Sequence, residues 1–152
     1  MVDAANSEWI PIVPGAKQGS VLGRLLFIPY TGEMLELVEN RLVAYADDST
    51  LLAVVRKPAD IPTVAASLNR DLIRIQEWCN QWCMILNHNK TMALILSRSR
   101  TVSPPHGDLV LSGVSIRASP NLDILGLKFG SKLTFEDHMH DIVSRVSREL
   151  LF

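Results

Sequence analysis

The chain has 152 residues, 47% of them apolar and 20% charged, with a net charge of −1. That length can bury a core, and the composition is that of a globular domain, which excludes a disordered chain. The charge balance argues against a self-sufficient phosphate binder, with 5 basic against 8 acidic residues up to Asp60 and 10 against 8 beyond it.

Residues 9–14 read as a short apolar strand ended by Pro14-Gly15. Ser20 is placed to cap a helix beginning at Val21, because its hydroxyl can accept a hydrogen bond from a free N–H of the first turn. Pro29 is expected to end or kink that helix near Phe27, with Met34, Leu35, Leu37 and Val38 marking its resumption. Two β-rich runs follow, Leu42-Val43-Ala44 and Leu51 to Val55, joined by Tyr45-Ala46-Asp47-Asp48. Such an arrangement predicts a hairpin holding two carboxylates at its tip. The tip is a plausible seat for Mg²⁺, a hard cation that prefers carboxylate oxygens and keeps several waters. It also suits a plain solvated turn, since Asp is a common turn former.

Val64, Leu68, Leu72, Ile75, Cys79 and Trp82 recur at steps of three and four, the apolar stripe of an amphipathic helix. Arg70, Asp71, Arg74, Glu77 and Gln81 fall on its wet face, and Pro62 suits its first turn. Trp78 and Trp82 could stack bases, but their helical spacing fits core packing. Cys79 and Cys83 share a face of this helix, and with no matching His-x₃-His or Cys-x₂-Cys step they read as buried thiols rather than zinc ligands.

Thr91 to Leu96 predicts a strand, Ser97 to Gly107 a polar loop, and Leu109 to Ile116 a hairpin turning at Ser112-Gly113. Arg98 and Arg100 in that loop could touch phosphate or simply be solvated. Residues 122–129 form a last strand, where Gly126 would let another backbone come close or mark a bulge. A final helix opens at Thr134 in a capping-box-like start with Asp137, its stripe being Met139, Ile142, Val143, Val146 and Leu150. The whole is an α+β order in one domain. No apolar run approaches the roughly twenty residues that span a bilayer, and Met1 to Glu8 lacks the basic start and apolar stretch of a secretory signal. An intracellular protein with no membrane partner is expected.

Five landmarks stand in a fixed order: Gln18 to Leu22, Tyr45 to Asp48, Trp78 with Trp82, Asn87 to Thr91, and Leu125-Gly126. Here the chain resembles the reverse transcriptases of non-long-terminal-repeat retrotransposons, the jockey-like and LINE-like elements. Members of that family carry Pro-Gln-Gly-Ser-Val-Leu-Gly-Pro-Leu-Leu-Phe, then Tyr-Ala-Asp-Asp, a Trp-rich helix, Asn-x-x-Lys-Thr and a Leu-Gly strand. The resemblance spans nearly the whole chain.

It implies a polymerase palm, a small antiparallel sheet covered by helices, with residues 1–152 as a partial reverse transcriptase domain truncated at both ends. It implies Asp47 as principal metal ligand and Asp48 as its neighbour, holding Mg²⁺ or Mn²⁺. Gln18, Gly19, Ser20, Tyr45 and Lys90 would lie near template and nucleotide, and Leu125-Gly126 at the primer grip. The implied partners are an RNA template, a DNA primer and a deoxynucleoside triphosphate. His138 matches a family histidine by position and is given no chemistry.

The family completes its metal site with a further Asp from an earlier motif, and the acids ahead of Gln18 here are Asp3 and Glu8. Asp3 is too close to the Gln-Gly-Ser stretch to match that motif. Two metals about 3.5–4 Å apart need bridging carboxylates, so the chain alone is expected to bind metal weakly and not to polymerise. Lys17 and Arg24 replace family prolines, and Pro29 stands where the family has none; all three count against activity. A second reading is a non-catalytic retroelement remnant that binds another protein or itself through uncovered apolar faces.

Overall fold

The long helix α2 (Ile61–Gln81) organises the fold, as the computed structural model shows for residues 21–97 and 109–149. Ile75, Trp78 and Cys79 of α2 are buried together with Met34 of α1 (Val21–Glu36), and Tyr30, Val38, Leu42, Met84 and Leu86 pack around them. Trp78 is 3% exposed and Trp82 remains 39% exposed, so the expected core role holds in full for the first indole only. Tyr30 sets its ring edge against both indoles, at centroid distances of 5.7 and 5.0 Å, and its hydroxyl donates to the Trp82 carbonyl at 3.0 Å.

α1 does not end at its proline. An interior proline removes one helix hydrogen bond and costs about 3 kcal/mol, yet the helix runs through Pro29 to Glu36. Thr31 Oγ1 donates to the Phe27 carbonyl at 2.9 Å, and Tyr30 and Met34, both beyond the proline, pack in or against the core. Tertiary packing therefore overrides the local breaker. The cap at Ser20 and the strand over residues 9–14 lie outside the described residues.

α2 opens behind a short 3₁₀ turn over Pro58–Asp60, with Pro62 in its first turn as expected. Its other end corrects the shared face proposed for the cysteines. The helix stops at Gln81, and Cys83 takes a left-handed φ of 55°, leaving Cys79 buried and Cys83 exposed. The Met84 N–H donates to the Cys79 carbonyl at 2.8 Å and the Cys83 N–H to the Asn80 carbonyl at 3.4 Å, which is the Schellman arrangement. Glycine normally occupies that left-handed position because it carries no Cβ penalty. Cys83→Gly is accordingly expected to raise stability by about 1 kcal/mol, read as a higher denaturation midpoint. Burial pushes the Cys79 thiol above its ordinary value, so it stays protonated.

The β structure is four separate two-stranded ladders among the described residues, where one small antiparallel sheet was expected. β1 (Arg41–Tyr45) pairs antiparallel with β2 (Asp48–Leu52), and β3 (Met92–Ala93) pairs parallel with β6 (Arg117–Ala118). β4 (Val110–Leu111) turns into β5 (Val114–Ser115) through Ser112 and Gly113, at φ 53° and 78°. Those two positive values are what a two-residue turn matching the strand twist needs. β7 (Asn121–Ile124) pairs with β8 (Leu127–Gly130) in the same way. The single strand expected over 122–129 is thus a hairpin, because Leu125 and Gly126 sit at φ 51° and 80° and reverse the chain. The strand expected over Thr91–Leu96 forms a ladder only at Met92–Ala93.

α3 (Glu136–Glu149) starts two residues later than Thr134, since Leu133 and Phe135 hold left-handed φ values of 55°. Asp137 does not close a capping box; it accepts from Asn121 Nδ2 at 3.2 Å and ties α3 to β7. Lys128 pairs with Asp141, and His138 Nδ1 accepts from the Lys128 N–H at 3.4 Å, so the helix docks beside β8. Its stripe of Met139, Ile142, Val143 and Val146 stays exposed, as do Leu22, Leu25, Leu26 and Ile28 of α1. No helix among the described residues is long and apolar enough to cross a membrane.

Candidate active site

β1 alternates exposed and half-buried side chains, with Leu42 turned to the core and Arg41, Val43 and Tyr45 outward. Opposite them the register runs from Arg41 with Leu52 to Tyr45 with Asp48, leaving Ala46 and Asp47 as a two-residue turn. Ala46 takes a φ of 52°, the left-handed value such tight hairpins require of their first turn residue. β2 ends at Leu52 rather than running on to Val55. The residues before β1, Glu39 and Asn40, give their N–H groups to a side chain instead of a ladder.

Asp47 therefore sits in the turn and Asp48 on the first residue of β2, both exposed, beside a Tyr45 that is 65% exposed. Neither carboxylate makes a hydrogen bond or ion pair among the described residues. Two hard oxygen donors open to water fit one Mg²⁺ that keeps several waters. No group of three or more His, Cys, Asp or Glu gathers among the described residues, so no third carboxylate joins the pair there.

Lys90 lies on another turn. Asn87 closes it: its Oδ1 accepts the Lys90 N–H at 3.2 Å, and its carbonyl takes the Thr91 N–H at 3.1 Å and the Thr91 hydroxyl at 2.9 Å. The Asn-x-x-Lys-Thr spacing thus has a local structural cause, and it leaves Lys90 exposed. Leu125-Gly126 tips the β7–β8 hairpin. No bond among the described residues ties Lys90 or that tip to the carboxylate hairpin. Gln18, Gly19 and Ser20, together with Arg98, Arg100 and most of the Ser97–Gly107 loop, fall outside the described residues.

Sequence reasoning missed the group that holds the hairpin's base. Asp71, assigned to the wet face of α2, is 0% exposed. Its Oδ1 accepts the Glu39 N–H at 2.9 Å, and its Oδ2 accepts the Asn40 N–H at 2.9 Å and Asn40 Nδ2 at 2.7 Å. Arg74 Nη1 lies 3.2 Å from Oδ1, while Arg74 and Arg70 also grip Glu39 at 2.8 and 3.2 Å. A signal was present: Asp71 follows Leu68 by three and precedes Ile75 by four, which is the spacing of the apolar stripe.

Burial pushes the Asp71 carboxyl up, but the N–H groups of Glu39 and Asn40, the Asn40 amide and Arg74 outweigh it and hold it below the ordinary value. A carboxyl whose folded value is depressed stabilises the fold above its unfolded value and loses that contribution as pH falls through the folded one. Wild type should therefore lose stability below about pH 4, where an unfolded Asp begins to bind protons. Asp71→Asn should show a flatter loss over the same acid range in urea titrations. Equal acid dependence of the two proteins would contradict this account of Asp71.

A family model described as Reverse transcriptase (RNA-dependent DNA polymerase) matches residues 1–129. The chain belongs to the reverse transcriptase family. It is 31% identical over 149 residues, 93% of its own length, to the RNA-directed DNA polymerase from mobile element jockey of Drosophila melanogaster. The probable RNA-directed DNA polymerase from transposon BS of the same fly is 30% identical over 91% of this chain, and that from transposon X-element 26% over 89%. The chain spans about 16% of the length of the first two relatives and 15% of the third. No solved structure matches it significantly. The resemblance to jockey-like reverse transcriptases stands, and so does the α+β class of this reverse transcriptase segment.

Proposed function

We propose that this reverse transcriptase segment is the palm of an RNA-directed DNA polymerase of a jockey-like, non-long-terminal-repeat mobile element. The observation that carries the reading is the exposed Asp47-Asp48 pair at the tip of a tight hairpin, inside the region that matches the family. Asp47 would be the principal ligand of Mg²⁺ or Mn²⁺ and Asp48 its neighbour. A divalent ion held there supplies Lewis-acid stabilisation of the charge that develops in nucleotidyl transfer. Tyr45 and Gln18 to Ser20 would face template and nucleotide, Lys90 the nucleotide's phosphates, and Leu125-Gly126 the primer end.

Two carboxylates hold one ion loosely, and the family draws a further Asp from an earlier motif. The 152-residue chain alone is therefore expected to extend no primer. A polymerase-length chain carrying this segment should copy an RNA template from a DNA primer and stop when divalent metal is withdrawn. A folded chain of that length that extends nothing on RNA contradicts the proposal.

The bare apolar residues of α1 and α3 further support self-association of the isolated chain. Size-exclusion chromatography at micromolar concentration should show species larger than a monomer. A sharp monomer peak would count against that part of the reading.

A further inference from the structure

We propose that Asp71 is a positioning residue for the carboxylate hairpin: its buried carboxylate brackets the backbone at Glu39 and Asn40 and so sets where Asp47 and Asp48 stand. The inference rests on the reading of that hairpin as the metal-binding element.

Both oxygens of Asp71 are engaged, and three of the four donors, the Glu39 and Asn40 N–H groups and Asn40 Nδ2, belong to the two residues that lead into β1. Asn40 Nδ2 also reaches Ser67 Oγ at 2.8 Å, so a second α2 side chain grips the same point. α2 itself is anchored by Ile75, Trp78 and Cys79 in the core. The bracket therefore refers the start of β1 to the most buried helix of the fold. Arg41, the next residue, begins the strand.

The lever is long. At about 3.3 Å per residue, Asp47 stands roughly 20 Å along the hairpin from Asn40. A tilt of about 3° at that base moves the tip by about 1 Å, and a misplacement of that size can lower an enzymatic rate about a hundredfold. Val43, Tyr45, Asp47 and Asp48 are exposed while Leu42, Ala44, Thr50 and Leu51 are half-buried, so the inner face rests on the fold and the tip beyond it takes its position from the ladder and its base.

The test is amide hydrogen exchange by NMR on the 152-residue chain, for wild type, Asp71→Asn and the milder Asn40→Ala. Asn40→Ala removes the Nδ2 bonds to Asp71 and Ser67 while leaving both backbone N–H groups on the carboxylate. For Asn40→Ala the expected result is exchange at least about tenfold faster across the β1–β2 ladder, with the β7–β8 ladder and α2 around Ile75 little changed. For Asp71→Asn, which also lowers global stability, it is a rise in the β1–β2 ladder at least about tenfold larger than the rise in the other two regions. A uniform rise in all three regions, or no change in the hairpin, overturns the proposal. Mn²⁺ titration adds a readout that lost stability alone does not move: Asn40→Ala should weaken binding several-fold although it removes no ligand. If Asp47→Asn leaves Mn²⁺ binding as in wild type, the metal-site reading fails, and the exchange pattern still decides the bracket.

Discussion

Asp47→Asn, placed in a polymerase-length chain that carries this segment, is expected to lower RNA-templated primer extension about a thousandfold. The substitution keeps the shape of the side chain and removes its charge. Asn is as good a turn residue as Asp, so the ladder from Arg41–Leu52 to Tyr45–Asp48 should be unchanged. What is lost is an anionic oxygen ligand, and losing about 4 kcal/mol of metal-mediated transition-state stabilisation corresponds to about three orders of magnitude in rate. Asp48→Asn should cost less, since Asp48 is assigned the lesser part of the ion's coordination. Steady-state primer extension with saturating nucleotide measures both, and an Asp47→Asn enzyme retaining a tenth or more of the wild-type rate contradicts the assignment.

Asp71→Ala should cost about 3 kcal/mol of folding stability, the scale expected when a buried carboxylate that accepts several hydrogen bonds is removed and its donors are left unpaired. The loss is large because the carboxylate is fully buried and its removal strands the Glu39 and Asn40 N–H groups without acceptors. The exposed Glu39 contacts with Arg70 and Arg74 cannot compensate, since ion pairs open to water contribute little. For a domain of this length the expected fall in melting temperature is about 10 °C. Asp71→Asn, which keeps one acceptor oxygen, should fall between wild type and Asp71→Ala. A loss below about 1 kcal/mol for the alanine variant would place the hairpin's support elsewhere.

The features legible in the sequence are those with a local cause. The β1–β2 hairpin announced itself as two β-rich runs around an acidic turn, and α2 as a period of three and four. Ser112-Gly113 could be read as a turn because its second position demands a left-handed residue that glycine supplies freely. Leu125-Gly126 escaped because leucine is a poor choice for a left-handed position and its apolar neighbours read as one strand. Pro29 by itself predicts an end or a kink with the helix resuming at Met34, because nothing local reveals that Tyr30 and Met34 pack in or against the core and carry one helix through it. Asp71 was assigned to water on charge alone, although its spacing placed it among Leu68 and Ile75.

The site was legible to the same degree. Tyr45, Asp47 and Asp48 share one hairpin because they fall within four consecutive residues at a single turn. Lys90 and Leu125-Gly126 sit on separate turns, and the distance between turns is set by packing of elements far apart in the chain, which no motif spacing encodes. The missing strand lengths have the same origin: β3 pairs with β6 across more than twenty residues of intervening chain.

The measurement that bears most directly on the account is paramagnetic broadening of amide signals during Mn²⁺ titration of the 152-residue chain. The account predicts broadening centred on Ala46 to Ser49, abolished by Asp47→Asn and competed away by Mg²⁺. Broadening centred elsewhere, or a pattern at the hairpin indifferent to Asp47→Asn, would contradict it.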